Sequence, residues 1–566
     1  MRKLLTLTSC LLCALCTNAQ TQTMYDAITG LSYHYVDSEK GTVRTFYSEE
    51  HPYPGHLKIP AHFTHDGRTL TVTEIGYLAG LKKDTLLTEL TIPETVTHIY
   101  DAGNISACPN LKAIHVAPTN PYFKDVQGRM VVSKKGDTLY AVPPALEGAL
   151  NLPASIRYIK QNAICECHAL TALTLTGVEA MDDWAVTNCE RVKVLNLGNK
   201  LKGLDSNGIY GMTAVEQYAA SPSNPYLKAA SGILFSKDGK TLIAYPAART
   251  APYTIPSAVK RIHTLAFAFS KLKSITLPAT LTAVGDEAFV GSELEEVVVK
   301  CDKAPFGNHV FVQCEKLKTV RYVGAPTEIP DAAFYNCAAL QTLELPASIR
   351  RIGHRAFEYS GLKSIDIPSN VREIGGFAFR HLPRLEHLSL PTSQLEHIGE
   401  QAFTNCTFID TLLLPNIRTI GKEAFQSCKN LAVLYLGNKV DSIGQDAFAY
   451  ADKLRYIFLD TPAIGSRWFG TSRARRIVWG PNVKRIEPEA FDGNGHGYIA
   501  LSPTPPVNLC SFKGRIDPHH VPAPSIRVPV GSGKAYTEAF KGSDLVPYES
   551  EIDPEELCKP LPFANK

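Results

Sequence analysis

After its first twenty residues the chain has no apolar run of the about 20 residues that a bilayer-spanning helix needs. It also has little net charge. Lys and Arg number 58 against 55 Asp and Glu, a formal +3. Without Arg2 and Lys3, which belong to the leader described below, the balance is +1. No basic cluster offsets this, so the electrostatic footprint of a nucleic-acid binder is missing. Fourteen cysteines are present; three (Cys10, Cys13 and Cys16) stand in the leader, and the periodic ones after it, about 22 residues apart, are not spaced as zinc ligands. Cys165 and Cys167 form a C-x-C, which alone specifies nothing.

Catalytic constellations are also missing. His519 and His520 beside Asp517 stand in a Pro-rich stretch without a second ligand group at helical spacing, so a solvated loop is expected. The Gly-rich run Gly493–Gly497 lacks the flanking strand and helix of a phosphate-binding loop. Gly531–Lys534 lacks the first glycine of a P-loop. Asp182-Asp183 and Glu295-Glu296 are expected to be solvated acids on the surface of the fold. Nothing brings together a nucleophile, a base and its orienting group. No catalytic, metal-ligating or cofactor-binding residue is assigned, and an enzyme is not expected.

The chain opens MRKLLTLTSCLLCALCTNAQ. Arg2 and Lys3 make a positive start, Leu4 to Cys16 is apolar, and Ala19 is a small residue before Gln20. This pattern predicts a secretory signal over residues 1–19 and an exported protein. Lipid attachment at Cys10 or Cys16 is the alternative.

The strongest feature is a beat of phenylalanines: Phe267, Phe289, Phe311, Phe334, Phe357, Phe379, Phe403, Phe425, Phe448, Phe469 and Phe491, in steps of 21 to 24 residues. A fixed period in the twenties specifies a solenoid, in which each unit buries its apolar face only against its neighbours. Val371 to Pro391, VREIGGFAFRHLPRLEHLSLP, shows the unit: V/I-x-x-I-G-x-x-A-F-x-x-C-x-x-L-x-x-L-x-L-P. The L-x-L end alternates as a half-buried strand does. The A-F-x-x-C-x-x-L segment has apolar residues three apart, which predicts one short helical turn. Glycines at the I-G step (Gly353, Gly375, Gly399, Gly421, Gly444) suit a tight turn. Prolines after the strand (Pro278, Pro346, Pro368, Pro391, Pro415) end the ladder for want of an N–H. Earlier units keep the spacing without the Phe, and Ile164 and Trp184 are expected in its place. In all, about sixteen units run from Val72 to Leu501. Seven cysteines fall on one repeat position (Cys108, Cys167, Cys189, Cys314, Cys337, Cys406, Cys428), which predicts small buried thiols rather than disulfides.

These motifs resemble the BspA-like, treponemal-type leucine-rich repeats of bacterial surface proteins. The opening GLSYHYVDSEKGTVRTFY is similar to the family's N-terminal cap. Two stretches beginning NPYFKDVQGRM at Asn120 and NPYLKAASGIL at Asn224 are similar to its hairpin inserts. The segment PTPPVNLCSF to LVPY is similar to its closing cap. The resemblance implies an α/β repeat solenoid: a right-handed leucine-rich-repeat coil with a parallel sheet on its concave face, short helical turns and terminal caps. The implied division is signal 1–19, N-terminal cap 20–71, repeat array 72–501 with inserts near 119–150 and 222–254, and C-terminal cap and tail 502–566. It implies a secreted or cell-surface binding scaffold whose partner is a protein or glycan, host extracellular matrix included. Self-assembly into a surface structure and a glycan-binding role in nutrient capture are the alternatives. Asp84 and Asp137 in Asp-Thr-Leu, and Asp441 in Asp-Ser-Ile, are similar to acceptor motifs for bacterial O-glycosylation.

Within L-x-x-L-x-L, the residues alternating with the buried pair should point outward. They are mostly polar from Ser274 to Ser389. After that they become Thr411/Leu413, Val433/Tyr435, Tyr456/Phe458, Arg476/Val478 and Tyr498/Ala500. With strands about 4.8 Å apart, these would form an apolar and aromatic stripe about 20 Å long. The predicted partner-binding residues are Leu413, Val433, Tyr435, Tyr456, Phe458, Arg476, Val478 and Tyr498, since such patches mark interaction sites.

Overall fold

The computed structural model describes residues 23–550, apart from 27–28, 47–54, 77, 79–84, 100–102, 205–207, 303–304, 392–393, 471, 473, 475, 488–489, 491–496, 507–524 and 540–545. The chain divides into two units, Met1–Gly232 and Ile233–Lys566.

In the first unit, strands Met24–Tyr25, Ser32–Asp37, Thr42–Phe46, His62–His65 and Arg68–Ile75 form a mixed sheet ahead of the repeats. Its Leu31, Tyr33, Val43, Leu70 and Val72 side chains are fully buried. Parallel strands then stack one per coil, as in Gly148–Asn151, Leu170–Thr174, Val194–Asn196 and Gln217–Ala219. The first insert is a hairpin: Phe123–Asp125, Val131–Ser133 and Thr138–Ala141 pair antiparallel. Its last strand then pairs parallel with Tyr158–Ile159, so the insert is built into the coil ladder. In the second unit, Ile233–Ser236 and Thr241–Ala244 make the corresponding antiparallel pair. Asp238-Gly239 lies in the connecting turn, with Gly239 at φ 77 and its N–H donating to the Ser236 carbonyl at 2.8 Å.

Most coils of the second unit contribute to two ladders. One is built from three- and four-residue strands such as Thr411–Leu414 and Val433–Leu436. The other is built from two-residue strands at the x-I step: Glu328–Ile329, Arg351–Ile352, Glu373–Ile374, His397–Ile398, Thr419–Ile420 and Ser442–Ile443. Both keep residue-for-residue correspondence between coils, as a fixed repeat length allows. Between the ladders the phenylalanines stack. From Phe267 to Phe469 successive ring centroids lie 4.9 to 5.8 Å apart, with planes within 25° of parallel. Phe491 lies outside the described residues.

The expected helical turn around each Phe is not there. Among the described residues the only α-helices are Gly103–Ser106 and Gly533–Ala539. The segment is a pair of tight turns instead, with a left-handed residue two before and two after the Phe. Arg355 and Tyr359 flank Phe357 at φ 55 and 60, and Glu423 and Ser427 flank Phe425 at φ 55 and 60. Left-handed backbone is incompatible with an α-helix. The donors go elsewhere too: the Phe N–H reaches the carbonyl before the next coil's Phe, as Phe357 to Ala378 at 3.0 Å and Phe425 to Ala447 at 2.7 Å. These hydrogen bonds run between coils, whereas a helix needs them within one. Among the described residues, no Val, Ile or Thr has positive φ, in keeping with the steric cost for β-branched side chains.

The frame also corrects one sequence assignment. Trp184 has φ 59, the position two before the core residue, and is 36% exposed. Val186 takes the place of the phenylalanine instead, fully buried and paired with Ile164 of the preceding coil.

The cysteine position has a donor role that periodicity did not show. At five coils the residue three after the Phe donates a thiol or hydroxyl to the carbonyl of the preceding coil's Phe. Cys314 reaches Phe289 at 3.1 Å, Cys337 reaches Phe311 at 3.2 Å, and Cys428 reaches Phe403 at 3.4 Å. Ser472 does the same to Phe448 at 2.6 Å. Burial pushes the Cys314 and Cys428 thiols up to about 12, so they stay protonated donors with almost no reactive thiolate. Thiol counting in denaturant is therefore expected to find Cys314, Cys337, Cys406 and Cys428 reduced. Recovery of Cys314–Cys337 or Cys406–Cys428 as disulfides would refute the donor role.

Candidate functional site

The strands Thr411–Leu414, Val433–Leu436, Tyr456–Leu459, Arg476–Trp479, Gly497–Ala500, Ser525–Val528 and Val546–Glu549 form one seven-stranded parallel sheet. Its inward columns belong to the interior core: Leu412, Leu434, Ile457, Ile477 and Ile526 in one, Leu414, Leu436, Leu459, Trp479 and Val528 in the other. Its outward columns are Thr411–Val433–Tyr456–Arg476–Gly497 and Leu413–Tyr435–Phe458–Val478–Ile499–Arg527.

Seven of the eight residues expected on this face are there. Tyr498 is not. It lies in register with Ile477 and packs in the interior at 5% exposure. Ala500 is likewise buried behind the sheet, beside Trp479. Ile499 occupies the outward position, and Leu501 packs there as well. The strand Tyr498-Ile499-Ala500-Leu501 is apolar at every position, so alternation alone carries no information about which face is which.

The outward residues make a second apolar cluster, separate from the interior. Leu413, Phe458, Val478 and Ile499 form its buried floor, at 8, 4, 2 and 7% exposure. Val433, Tyr435, Tyr456 and Leu501 are half-buried around it. Thr411 and Arg476 are exposed. The Arg476 guanidinium lies 5.7 Å from the Tyr456 ring centroid, a cation–π contact that ties its charge to the patch. The sheet end is anchored from behind. Tyr536, on helix Gly533–Ala539, is fully buried and donates its hydroxyl to the Ser502 carbonyl at 2.8 Å.

Elsewhere the charged groups brace coils. Arg351 reaches Glu328, Asp331 and Glu373 at 3.5, 2.8 and 3.4 Å. Glu293 bridges Lys273 and Lys316, both at 2.8 Å, and these lysines hold its carboxyl down at about 2. The paired acids are structural in the same way. Glu295 binds Lys318 at 2.7 Å, and Asp182 accepts from the Tyr158 hydroxyl. Of the Asp-Thr-Leu sites, Asp84 lies outside the described residues, while the half-buried Thr138 hydroxyl donates to Asp137 at 3.2 Å. His519, His520 and Asp517, and the Gly-rich run up to His496, also lie outside. Among the described residues no group of His, Cys, Asp and Glu is arranged to hold a metal ion, and no helix is long and apolar enough to cross a membrane.

No curated protein matches the chain. Among solved structures, it is similar to a leucine-rich repeat protein from Bacteroides ovatus (21% identity, 76% of this chain and 93% of that one, TM-score 0.34). It is also similar to a leucine-rich cell surface protein from Faecalibacterium prausnitzii (21%, 66% and 96%, TM-score 0.40). A leucine-rich repeat protein from T. pallidum matches at 23% over 37% of this chain and 90% of that one, TM-score 0.26. The family model for the BspA type leucine rich repeat region matches residues 147–230, 247–325, 327–455 and 392–497. These spans cover more than half of the chain and coincide with the stacked coils, and the chain belongs to the BspA-type leucine-rich repeat family.

Proposed function

We propose that the protein is an exported binding scaffold, displayed at the cell surface, that engages a protein partner through the outward face of its seven-stranded sheet. The observation that carries this is the second apolar cluster. A repeat fold needs apolar residues inside the coil to stack, but nothing in stacking calls for Phe458, Val478 and two tyrosines on the other side of the sheet. Outward positions of earlier coils, such as Thr319, Thr342, Asp366 and His387, are polar and exposed. Contiguous apolar surface with Tyr and Arg at its rim is the composition of an interaction site. The leader over residues 1–19 and the company of bacterial surface proteins in the family support export.

The double variant Tyr435→Ala/Tyr456→Ala tests this. Both rings are half-buried at the rim, so each truncation is expected to cost no more than about 1 kcal/mol of stability. Capture of a defined partner from matrix extract should be lost while the melting temperature moves by only a few degrees. A sharp fall in melting temperature with capture unchanged would mean that the cluster is a second core and the contact surface lies elsewhere.

A further inference from the structure

On the reading that this outward face is the contact surface, we infer that its occupant is an acidic protein segment carrying apolar side chains. The charge along the face points to it. Between Thr411 and Val528 the two outward columns hold two cations, Arg476 and Arg527, and no carboxylate. The nearby acids are placed otherwise: Asp410 precedes its strand, and Asp460 accepts from the Asn482 backbone and side chain at 3.2 and 2.8 Å. The preceding coils are net acidic at these positions, where Glu296, Glu344 and Asp366 outnumber Arg321, and Asp366 also pairs with His387 at 3.1 Å. Glu344 and Asp366 are exposed at outward positions, alternating with buried Leu343 and Ile365. An acidic segment is therefore attracted to the last coils and repelled by those before them, which confines it to the end of the sheet.

Arg476 supplies the specific contact. Several other arginines of the second unit are committed to neighbouring coils, among them Arg351 to three carboxylates and Arg418 to Glu396 and Asp441. Arg476 is exposed and, among the described residues, makes no ion pair. Its position over the Tyr456 ring restricts the guanidinium and leaves its donors available to a carboxylate of the partner. A bare polyanion would leave Val433, Tyr435 and Tyr456 in contact with water. A neutral apolar segment would desolvate Arg476 without pairing it, which is costly. A segment with both kinds of side chain satisfies both demands.

The test uses the full mature chain and four immobilised probes: a random Glu-Tyr copolymer, polyglutamate, a random Lys-Tyr copolymer and heparin. The Glu-Tyr copolymer is expected to bind most tightly. Arg476→Glu should weaken that binding by about tenfold or more, while Arg321→Glu, on an earlier coil, should leave it unchanged. Melting curves for the variants check folding, and Arg476 is exposed, so its loss should not unfold the chain. Heparin or polyglutamate binding as tightly as the copolymer would overturn the proposal in favour of a bare anion site. Undiminished binding by Arg476→Glu would overturn it too. If the Lys-Tyr copolymer binds instead, and Tyr435→Ala/Tyr456→Ala abolishes that binding, the charge preference is wrong but the contact surface stands. If the double tyrosine variant binds every probe as the wild type does, both fail.

Discussion

Gly421→Ala is expected to destabilise the repeat array by about 3 kcal/mol or more, although it adds one methyl group. A Cβ at this position would stand 2.3 Å from the Glu400 backbone nitrogen and 2.5 Å from the Gly399 carbonyl carbon. Backbone cannot swing aside as the end of a side chain can. The Gly421 N–H also donates to the Ile398 carbonyl at 2.8 Å, so the coils cannot separate without losing that bond. The same approach recurs at Gly375, Gly399 and Gly444, whose Cβ atoms would meet backbone nitrogens of the preceding coil at 2.5, 2.2 and 2.3 Å. None of these glycines has positive φ. Close packing between coils therefore explains the I-G step, and turn geometry does not. Gly55→Ala is the control: the nearest atom to its Cβ would be the Thr88 hydroxyl at 3.5 Å, and a change within about 0.5 kcal/mol is expected. Urea unfolding of the two variants side by side decides the matter. If they unfold at the same midpoint, the coils are not as tightly apposed as the structure has them.

What the sequence revealed follows from where its pattern is redundant. The phenylalanine beat repeats at every coil, so an error in one unit is corrected by the next, and the stacked column from Phe267 to Phe469 stands where the period places it. Single positions have no such protection. Trp184 is the larger aromatic, but it lies 20 residues from Ile164, whereas Val186 lies 22, which is the true period. Tyr498 falls in a strand without polar residues to set its phase. The helical turn fails for a different reason. Apolar residues three apart fit a stack of tight turns as well as they fit a helix, and the left-handed residues that decide between them are as varied as Leu265, His309, Arg355 and Gln401. No residue type marks that position from sequence. The outward cluster was legible in outline because polar residues still alternate in the earlier coils and their loss after Ser389 is visible. The part played by Ile499, Leu501 and Arg527 was not, because it depends on strand pairing across the Gly-rich segment.

Asn120→Ala and Asn224→Ala are each expected to cost about 3 kcal/mol, out of proportion to the size of a side chain in an insert. Both asparagines are fully buried, and both use all their hydrogen-bonding capacity in the same way. The Asn120 amide nitrogen donates to the Pro93 and Val96 carbonyls, each at 2.9 Å, and its oxygen accepts from the Tyr122 and Phe123 N–H groups, each at 2.8 Å. Asn224 donates to the Gly198 and Leu201 carbonyls at 3.5 and 3.1 Å and accepts from the Tyr226 and Leu227 N–H groups at 2.8 and 2.9 Å. Each side chain thus joins the start of an insert to the coil before it, through four backbone groups that water does not reach easily. Truncation to alanine leaves those groups without partners, and each buried orphan costs about 1–3 kcal/mol before relaxation. Asn120→Asp separates this account from simple packing. It preserves shape and both accepted bonds but turns the donor into a carboxylate facing two carbonyl oxygens, so it should destabilise at least as much as alanine at neutral pH. Its deficit should shrink as the pH falls and the carboxyl takes up a proton, because the protonated group regains one donor. Urea midpoints at two pH values measure this. If the Asn120→Asp variant is as stable as the wild type at neutral pH, the asparagine fills space without clamping the insert.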